Sequence, residues 1–345
     1  MTTLPCDPLR VSSCGEAVVE FACRAPSTHN TQPWAWRVTG ASGATVELFA
    51  DRSRQLAHAD PDGRDLLISC GSALHHAQVA ARGLGWEPHV TRHPAPDQPD
   101  LLARIVLKPT PITPAASADL QALWDRCTDR RRFTSWPINP ARLLQLRDVA
   151  RSWSGDAEAI TDVVAGLRVE HLVSRAYQAQ ACDVQLAGEQ QQWLGHSAED
   201  GVPADVVPVA GVRAPLSRRP RFERGSLVES DREVVSTDGL LVLVGDADDE
   251  AAWLTTGEAL GGVWLSATLG SLSILPLSQV VEVPETRTAL QYDVIKGGGV
   301  PHLLLRVGWQ QISRRALGRT PRRALADVLM DPSPSRPGGA EGPAA

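Results

Sequence analysis

The sequence lacks the features that mark exported and membrane-spanning proteins. No apolar run is long enough to cross a bilayer, and the first ten residues, MTTLPCDPLR, lack the apolar core of a secretion signal. The six cysteines are scattered and form no C-x-x-C pair, as expected for reduced thiols. We therefore expect a cytoplasmic protein without a membrane partner.

Several catalytic and binding signatures are also missing. The sequence has no G-x-S-x-G nucleophile elbow and no G-x-G-x-x-G dinucleotide fingerprint. His75 and His76 are adjacent in a helical pattern, so they point in different directions and form no two-ligand metal face. A net charge of −6 gives no electrostatic reason to expect nucleic acid. We expect no metal site and no nucleic-acid partner.

The composition is that of an ordinary globular protein with a substantial core. The chain has 345 residues, 43% of them hydrophobic and 21% charged, which allows one large domain or two smaller ones. Strand and helix patterns are mixed. The sequence predicts a hairpin formed by strands near 34–38 and 45–50. It also predicts buried strands near 103–107, 239–244 and 301–309.

Helical periodicity accounts for most of the remainder. Ser13 and Glu16 have capping-box spacing, and Ser117 is a plausible N-cap after the proline-rich linker 108–117. One helix is predicted over about 162–187, and another ends at Gly270. Residues 188–232 lose periodicity, which favours either a lid or disorder. The tail 331–345 is rich in Pro, Gly and Ala and should be disordered.

The most informative stretch is Ala25 to Trp34, APSTHNTQPW. Pro26 stops the preceding helix, Pro33 holds Gln32 extended, and six polar residues lie between the two prolines. A well-capped loop would have the same composition. The whole string, however, resembles the signature of the nitroreductase-like, FMN-binding oxidoreductases. In those proteins the Ser and Asn of the loop, here Ser27 and Asn30, reach the flavin across a dimer interface.

The resemblance extends over about 12–329 and is closest to the Acg-like branch, in which one chain carries two nitroreductase-like halves. It implies an α+β, nitroreductase-like fold, duplicated within the chain so that a monomer mimics the family homodimer. We expect a first half at 1–110, which supplies the loop, and a second half at 111–330, with a lid segment at 188–232. A weak repeat of element order agrees, although many α+β proteins show a similar rhythm.

The resemblance also implies the site. Arg126, Thr128 and Arg130 in RCTDRRRF match the start of the family's flavin site, and Arg322 and Arg323 match the basic pair that closes on the FMN phosphate. LPLSQ matches the segment facing flavin N5, which places Pro276, Leu277 and Ser278 at the cofactor and a backbone N–H of Leu277 or Ser278 near N5. No side chain need act as acid or base.

The residue types suit this chemistry. Guanidinium groups bind phosphate bidentately, and a cation such as Arg130 stabilises the negative charge of a reduced flavin. The alternatives are a solvated basic face at a helix end for 126–132 and ordinary surface charge for Arg322 and Arg323. His29 is interpreted as a loop residue with little chance of contacting the ring.

Departures from the pattern favour a single site per chain. The second half has SWSGDAEAI where the APSTHNTQPW loop should recur, and the first half has no equivalent of RCTDR. The leading hypothesis is an FMN-dependent oxidoreductase that moves hydride from NAD(P)H to a small electron-poor acceptor such as a nitroaromatic or quinone. The alternatives are a non-catalytic protein that stores FMN under a lid and a flavin-free structural relative.

Overall fold

The computed structural model describes residues 13–209, 219, 221–222, 224–228, 238–309 and 318–331. The expected disordered tail lies outside the described residues beyond 331, as does part of the expected lid segment. Within the described ranges, no helix is both long and apolar enough to cross a membrane.

Helices and strands are mixed along the chain. The helices are α1 (Cys14–Ala22), α2 (Arg64–Gly83), α3 (Pro114–Asp125), α4 (Pro140–Ser152), α5 (Val163–Ala181), α6 (Val184–Gln192), α7 (Glu250–Leu269), α8 (Gln279–Glu282), α9 (Pro284–Ala289) and α10 (Leu325–Val328). The strands are β1 (Trp34–Thr39), β2 (Thr45–Ala50), β3 (Trp86–Arg92), β4 (Leu101–Pro109), β5 (Asp156–Ile160), β6 (Gly239–Gly245), β7 (Leu272–Leu277) and β8 (Val300–Trp309).

The strands form two four-stranded sheets with corresponding strand orders. The first has the order β1-β2-β4-β3 and the second the order β5-β6-β8-β7, and every neighbouring pair is antiparallel. Along the chain, the 20-residue helix α2 connects β2 to β3, and the 20-residue helix α7 connects β6 to β7. The α+β class expected from the sequence is confirmed.

Helices α2 and α7 pack against each other at the centre of the molecule. A Cβ atom on Gly71 would lie 2.0 Å from the Leu254 carbonyl oxygen, and one on Gly257 would lie 2.1 Å from the Ile68 carbonyl oxygen. The Ser72 hydroxyl donates to the Gly257 carbonyl at 3.0 Å. Glycine is therefore required at both positions, which explains why the two helix sequences are rich in small residues.

Two helix boundaries differ from those predicted. The Ser13 cap is confirmed, since its hydroxyl accepts the Glu16 N–H at 3.3 Å. Ser117 is not an N-cap: Thr113 caps α3 and Pro114 takes the first helical position, where its fixed φ and missing N–H cost nothing. The predicted helix 162–187 is two helices, because Asp183 accepts the N–H groups of Gln185 and Leu186 and starts α6.

The strands β3, β5 and β7 were not recognised in the sequence. All three are edge strands, at the outer position of their sheets, although β7 buries its first three residues. Only Pro88 in β3 and Ala157 in β5 are buried. Edge strands bury less of each side chain, so the apolar alternation that identifies a strand is weak there.

Candidate functional site

A cavity of about 140 Å³ lies beside the α2–α7 pair, where elements from both sheets meet. Its walls come from the 26–29 loop, the first turns of α2, the end of β7 and the loop after α3. Of the residues predicted for a cofactor site, the cavity is lined by Ser27, Thr128, Arg130, Pro276, Leu277 and Ser278. The remaining four, Asn30, Arg126, Arg322 and Arg323, are not part of the cavity wall.

The loop after α1 reaches the cavity in a strained conformation. His29, Asn30 and Gln32 have φ values of 51°, 57° and 50°, in the left-handed region that non-glycine residues rarely adopt. The prediction that Pro33 holds Gln32 extended is therefore wrong. The Ser27 hydroxyl accepts the Gln32 N–H at 2.9 Å and stabilises the turn. Strained backbone of this kind is common at ligand sites, where surrounding contacts offset its cost.

Asn30 is not part of the cavity wall, and it binds two segments that are distant in the chain, near residues 201 and 321. Its amide donates to the carbonyls of Gly201 at 2.9 Å and Pro321 at 3.1 Å, and its oxygen accepts from Arg322 Nη1 at 3.0 Å. Gln32 makes a parallel link, since it donates to the Glu199 carbonyl at 2.9 Å. The loop therefore holds chain segments near 200 and 321 against its outer side.

Arg130 is the outstanding charge in the cavity wall. Burial lowers the pKa of its guanidinium to about 10, and the nearby Asp129 carboxylate only partly opposes this. Asp129 itself is bound by Arg131, which donates to both carboxylate oxygens at 2.8 and 2.7 Å. The Arg130 Nη1 atom is buried with no hydrogen-bond partner. Arg130 as a whole is half-buried, and a half-buried cation with a buried, unused donor is the arrangement that an anionic ligand would satisfy.

Arg126 lies behind the cavity wall. Its guanidinium stands 4.8 Å from the centre of the Trp264 ring, and Trp264 lines the cavity. Nη2 donates to the Arg24 carbonyl at 3.1 Å, whereas Nε and Nη1 are buried without a hydrogen-bond partner. Burial is the main cause that lowers the pKa of Arg126 to about 10.

Arg322 and Arg323 bind protein carbonyls. Arg322 donates to Asn30 Oδ1 and to the Arg24 carbonyl at 3.1 Å, and burial lowers its pKa to about 9. Its Nε atom is buried with no partner. Arg323 donates to carbonyls of Gln32 at 3.3 Å and Asp327 at 2.6 Å.

The end of β7 supplies backbone to the cavity. β7 is an edge strand that pairs only with β8 among the described strands. An edge strand leaves part of its backbone N–H and C=O groups unpaired by the sheet. Pro276 and Leu277 close this strand, and Ser278 follows it.

Sequence reasoning missed two titratable residues that line the cavity, His29 and Asp65. His29 is 5% exposed, and both of its ring nitrogens lack a hydrogen-bond partner. Burial lowers its pKa well below the ordinary value, and Arg221 and Arg130 lower it further. Asp65 is 3% exposed, and burial together with the Glu282 charge raises its pKa to about 6. Neither burial could be foreseen from a loop histidine and a helix-start aspartate.

Arg221 and Phe222, from the expected lid segment, also line the cavity. Arg221 donates to both carboxylate oxygens of Glu282, at 2.8 and 2.7 Å, and to the Ser278 hydroxyl at 2.8 Å. Phe222 packs edge-on against His29, with ring centres 5.1 Å apart. Burial would raise the pKa of Glu282, but the Arg221 charge and hydrogen bonds outweigh it and the pKa is lowered.

No protein-family model matches the chain. It is 38% identical over 315 residues to a Mycobacterium tuberculosis protein named "Putative NAD(P)H nitroreductase", a match that covers 90% of each chain. It is 30% identical over 330 residues to "Putative NAD(P)H nitroreductase acg" of the same organism, with 91% of this chain and 94% of the relative covered. A crystal structure of a nitroreductase with bound FMN from Bacteroides fragilis matches 59% of this chain and 93% of its own, at 15% identity. Its TM-score of 0.37 is too low to support an inference.

Proposed function

The chain belongs to the nitroreductase-like superfamily, in its Acg-like branch, and on that premise we propose that it is an FMN-dependent oxidoreductase. It would transfer hydride from NAD(P)H to a small electron-poor acceptor such as a nitroaromatic or a quinone. The observation that carries the proposal is Arg130, a half-buried cation whose Nη1 donor is buried and unpartnered, in a cavity lined by the loop and strand segments that resemble those of the family.

The residues present fit an anionic, aromatic cofactor. FMN bound in this cavity would supply hydride transfer at its N5 atom. Arg130 would stabilise the negative charge that the ring acquires when reduced, which raises its reduction potential. The segment Pro276 to Ser278 would contact the reactive face, and the apolar walls of Trp264 and Phe222 would exclude water.

The phosphate is assigned to the cationic group behind the cavity. Arg126 Nε and Nη1 and Arg322 Nε are buried donors without partners, and buried donors are rarely left unused. Thr128 and Arg323 complete the proposed set. Arg323 is the weakest member, because its guanidinium already donates to carbonyl groups.

We further propose that one chain does the work of a dimer. The halves 1–110 and 111–330 would correspond to the two subunits of such a dimer. The corresponding strand orders of the two sheets support this proposal. A monomer with bound flavin is the expected form in solution, measurable as the mass of one chain by light scattering.

Anaerobic mixing of the purified protein with NADPH tests the function. We expect the flavin absorbance to bleach and to return when a nitroaromatic or quinone is added. If dithionite bleaches the bound flavin but NADPH does not, the proposed reaction with NADPH is ruled out, whereas FMN binding is not.

The covering residues favour a second candidate, a protein that stores FMN without turnover. Arg221 covers the cavity and is anchored to the buried Glu282 carboxylate, which would hold the cover closed. Phe222→Ala and a Gly-Ser replacement of 212–226 should loosen the cover. Fast bleaching in the variants and slow bleaching in the wild type would favour storage. Fast bleaching in all three would favour the oxidoreductase.

A further inference from the structure

A second cavity, of about 210 Å³, lies between the C-terminal halves of α2 and α7 and the neighbouring helices α3 and α4. It shares no lining residue with the cavity proposed for FMN. Its apolar walls are formed by Val79, Val149, Trp153, Leu265 and Leu269. A cavity of about 150 Å³ is enough to bind a benzene ring, so the second cavity has room for a six-membered ring with a short side arm.

His75 borders the second cavity at its buried end, and its ring nitrogens have no partner. The side chain is fully buried, and neither Nδ1 nor Nε2 takes part in a hydrogen bond. Burial lowers the pKa of His75 to about 3, so the neutral ring offers one donor and one acceptor. A Cβ atom on Gly261 would lie 2.6 Å from Nδ1, so that nitrogen faces α7. Nε2, on the other side of the ring, is therefore the atom left for a ligand.

Asp119 supplies an uncommitted charge to the second cavity. Within the part of the chain that the structure describes, its carboxylate forms neither a hydrogen bond nor an ion pair. Burial raises the pKa of Asp119, and the Arg82 charge only partly opposes this. Arg82 is itself paired with Glu87, with Nε 3.8 Å from Oε1. These three charges leave one negative charge at the cavity, which the cationic group of a ligand would compensate.

The two polar ends of the second cavity are about two helical turns apart. His75 and Arg82 are seven residues apart in α2, which is about 10 Å along the helix axis, and Asp119 interacts with Arg82 at the far end. The Trp153 ring stands edge-on to His75, with ring centres 4.2 Å apart, and forms part of the wall between the two ends. An elongated ligand with an apolar middle and a polar group at each end fits this arrangement.

We propose that the second cavity binds a small phenolic amine, an aromatic ring with a hydroxyl group at one end and a protonated amine on a short arm at the other. The ammonium group donates to the Asp119 carboxylate, the ring lies against Trp153 and Leu265, and the hydroxyl group hydrogen-bonds to His75 Nε2. A turn of the half-buried Trp153 ring gives the hydroxyl group access to that nitrogen. The ligand also covers Leu269, an apolar side chain that is 52% exposed.

A purely structural role explains His75 less well. A buried polar atom without a partner costs stability, and an apolar ring at this position would fill the space without that cost. Ser72 and Gln78, on the same helix, both have partners: they donate to the Gly257 carbonyl at 3.0 Å and to Glu258 Oε1 at 2.7 Å. A ligand hydroxyl group would give His75 the partner that the protein does not supply.

The test measures the binding of three ligands to the purified full-length protein by isothermal titration calorimetry. The ligands are tyramine, tyrosol, which has a hydroxyl group in place of the amine, and phenethylamine, which lacks the ring hydroxyl. We expect tyrosol to bind about 10-fold more weakly than tyramine, the lower end of the range for a hydrogen bond to a charged group, because Asp119 is only half-buried. Phenethylamine should bind ~2- to 10-fold more weakly, the range for a neutral hydrogen bond.

Matched variants assign each end of the ligand. Asp119→Asn should bind tyramine and tyrosol equally, whereas Asp148→Asn, which removes an exposed carboxylate from α4, should keep the difference. His75→Phe should bind tyramine and phenethylamine equally. His76→Phe is its control, because His76 is also fully buried without a partner but does not line the second cavity.

Equal affinity of the wild-type protein for tyramine and either analogue would overturn the inference, and this outcome does not require any variant to fold. Saturation with FMN should leave the affinity for tyramine unchanged, since the two cavities have no lining residue in common. Loss of tyramine binding on addition of FMN would place the amine in the other cavity and would also overturn the inference.

Discussion

Buried polar groups on the two sides of the α2–α7 pair are satisfied in opposite ways. On one side the fully buried Glu258 carboxylate accepts from Arg92 Nε and Nη2, at 2.6 and 2.8 Å, and from Gln78 Nε2 at 2.7 Å. On the cavity side Arg130, Asp65 and His29 each keep a buried polar atom without a hydrogen-bond partner. The Glu258 carboxylate is satisfied within the protein, whereas the three cavity groups keep atoms that the ligand proposed for that cavity would satisfy.

The two regions occupy corresponding places. Gln78 is the fifteenth residue of α2 and Trp264 the fifteenth residue of α7. Arg92 ends β3, the edge strand after α2, and Ser278 directly follows β7, the edge strand after α7. Under the proposed division into two halves, the Glu258 network would occupy the position that corresponds to the cavity. That arrangement would be consistent with one flavin site per chain.

Removing the Glu258 carboxylate should have the largest destabilising effect. Glu258→Ala leaves Arg92 and the buried Gln78 amide without their acceptor, and breaking a buried pair by deleting one partner costs about 3 kcal/mol in the free energy of unfolding. Urea denaturation measures the loss. The control is Glu87→Ala, whose exposed pair with Arg82 at 3.8 Å should contribute less than about 0.5 kcal/mol. Equal, small effects of both substitutions would refute the structural role of the Glu258 network.

Replacement of Arg130 should change stability in the opposite direction. Arg130→Met exchanges a half-buried charge that Asp129 only partly compensates for an apolar side chain of similar length, which should stabilise the flavin-free protein by about 1 kcal/mol. The same substitution should weaken FMN binding by ~10- to 100-fold, because a charge-assisted hydrogen bond is lost. Arg142→Met, on an exposed helix surface, controls for the loss of charge. Lower stability together with unchanged FMN affinity would show that Arg130 serves the fold and not a ligand.

Asp65→Asn should have an effect that depends on pH. The pKa of Asp65 is raised from 3.8 to about 6 in the folded chain, so the folded state holds this proton more tightly than the unfolded state does. Ionisation therefore costs stability: the cost is absent below about pH 4, grows between about pH 4 and 6, and is complete above that. We expect the variant to be more stable than wild type at pH 7 by about 3 kcal/mol and nearly equal to it at pH 4.

Thermal melts of the two proteins in matched buffers, at pH 4 and at pH 7, measure this difference. The Asp65 charge also helps to raise the pKa of the buried Asp60, so the substitution relieves both carboxylates and the Asp60 change adds to the gain at pH 7. A stability difference that is the same at both pH values would show that Asp65 acts through packing and not through its charge.

Local signals in the sequence were sufficient for much of the architecture. The Ser13 cap, the hairpin 34–50 and the helix that ends at Gly270 depend on neighbours a few residues apart, and the structure has all three. The edge strands β3 and β5 were missed because they bury few side chains, and β7 was missed because only its first three residues are buried and it follows directly on a helix end. The Ser117 cap was wrong because Thr113 with Pro114 offers a stronger helix start four residues earlier.

The site was harder to foresee than the fold. Motif resemblance placed Ser27, Thr128, Arg130 and the end of β7 on one cavity, where the structure has them. It could not foresee that Arg322 would donate to Asn30 and to the Arg24 carbonyl, since these contacts join residues almost 300 positions apart. Asp65 and His29 carry no local signal at all. Their importance comes from tertiary burial, which leaves their polar atoms without partners.

The flavin-to-chain ratio tests the central claim, that one cavity per chain holds the cofactor, most directly. The flavin-free protein is titrated with FMN while fluorescence quenching and the mass of the complex are followed. One FMN per chain at saturation is the result we expect, with Arg130→Met shifting the affinity and Glu258→Ala leaving the ratio at one. Two tightly bound flavins per chain, or one flavin whose binding ignores Arg130, would contradict the account.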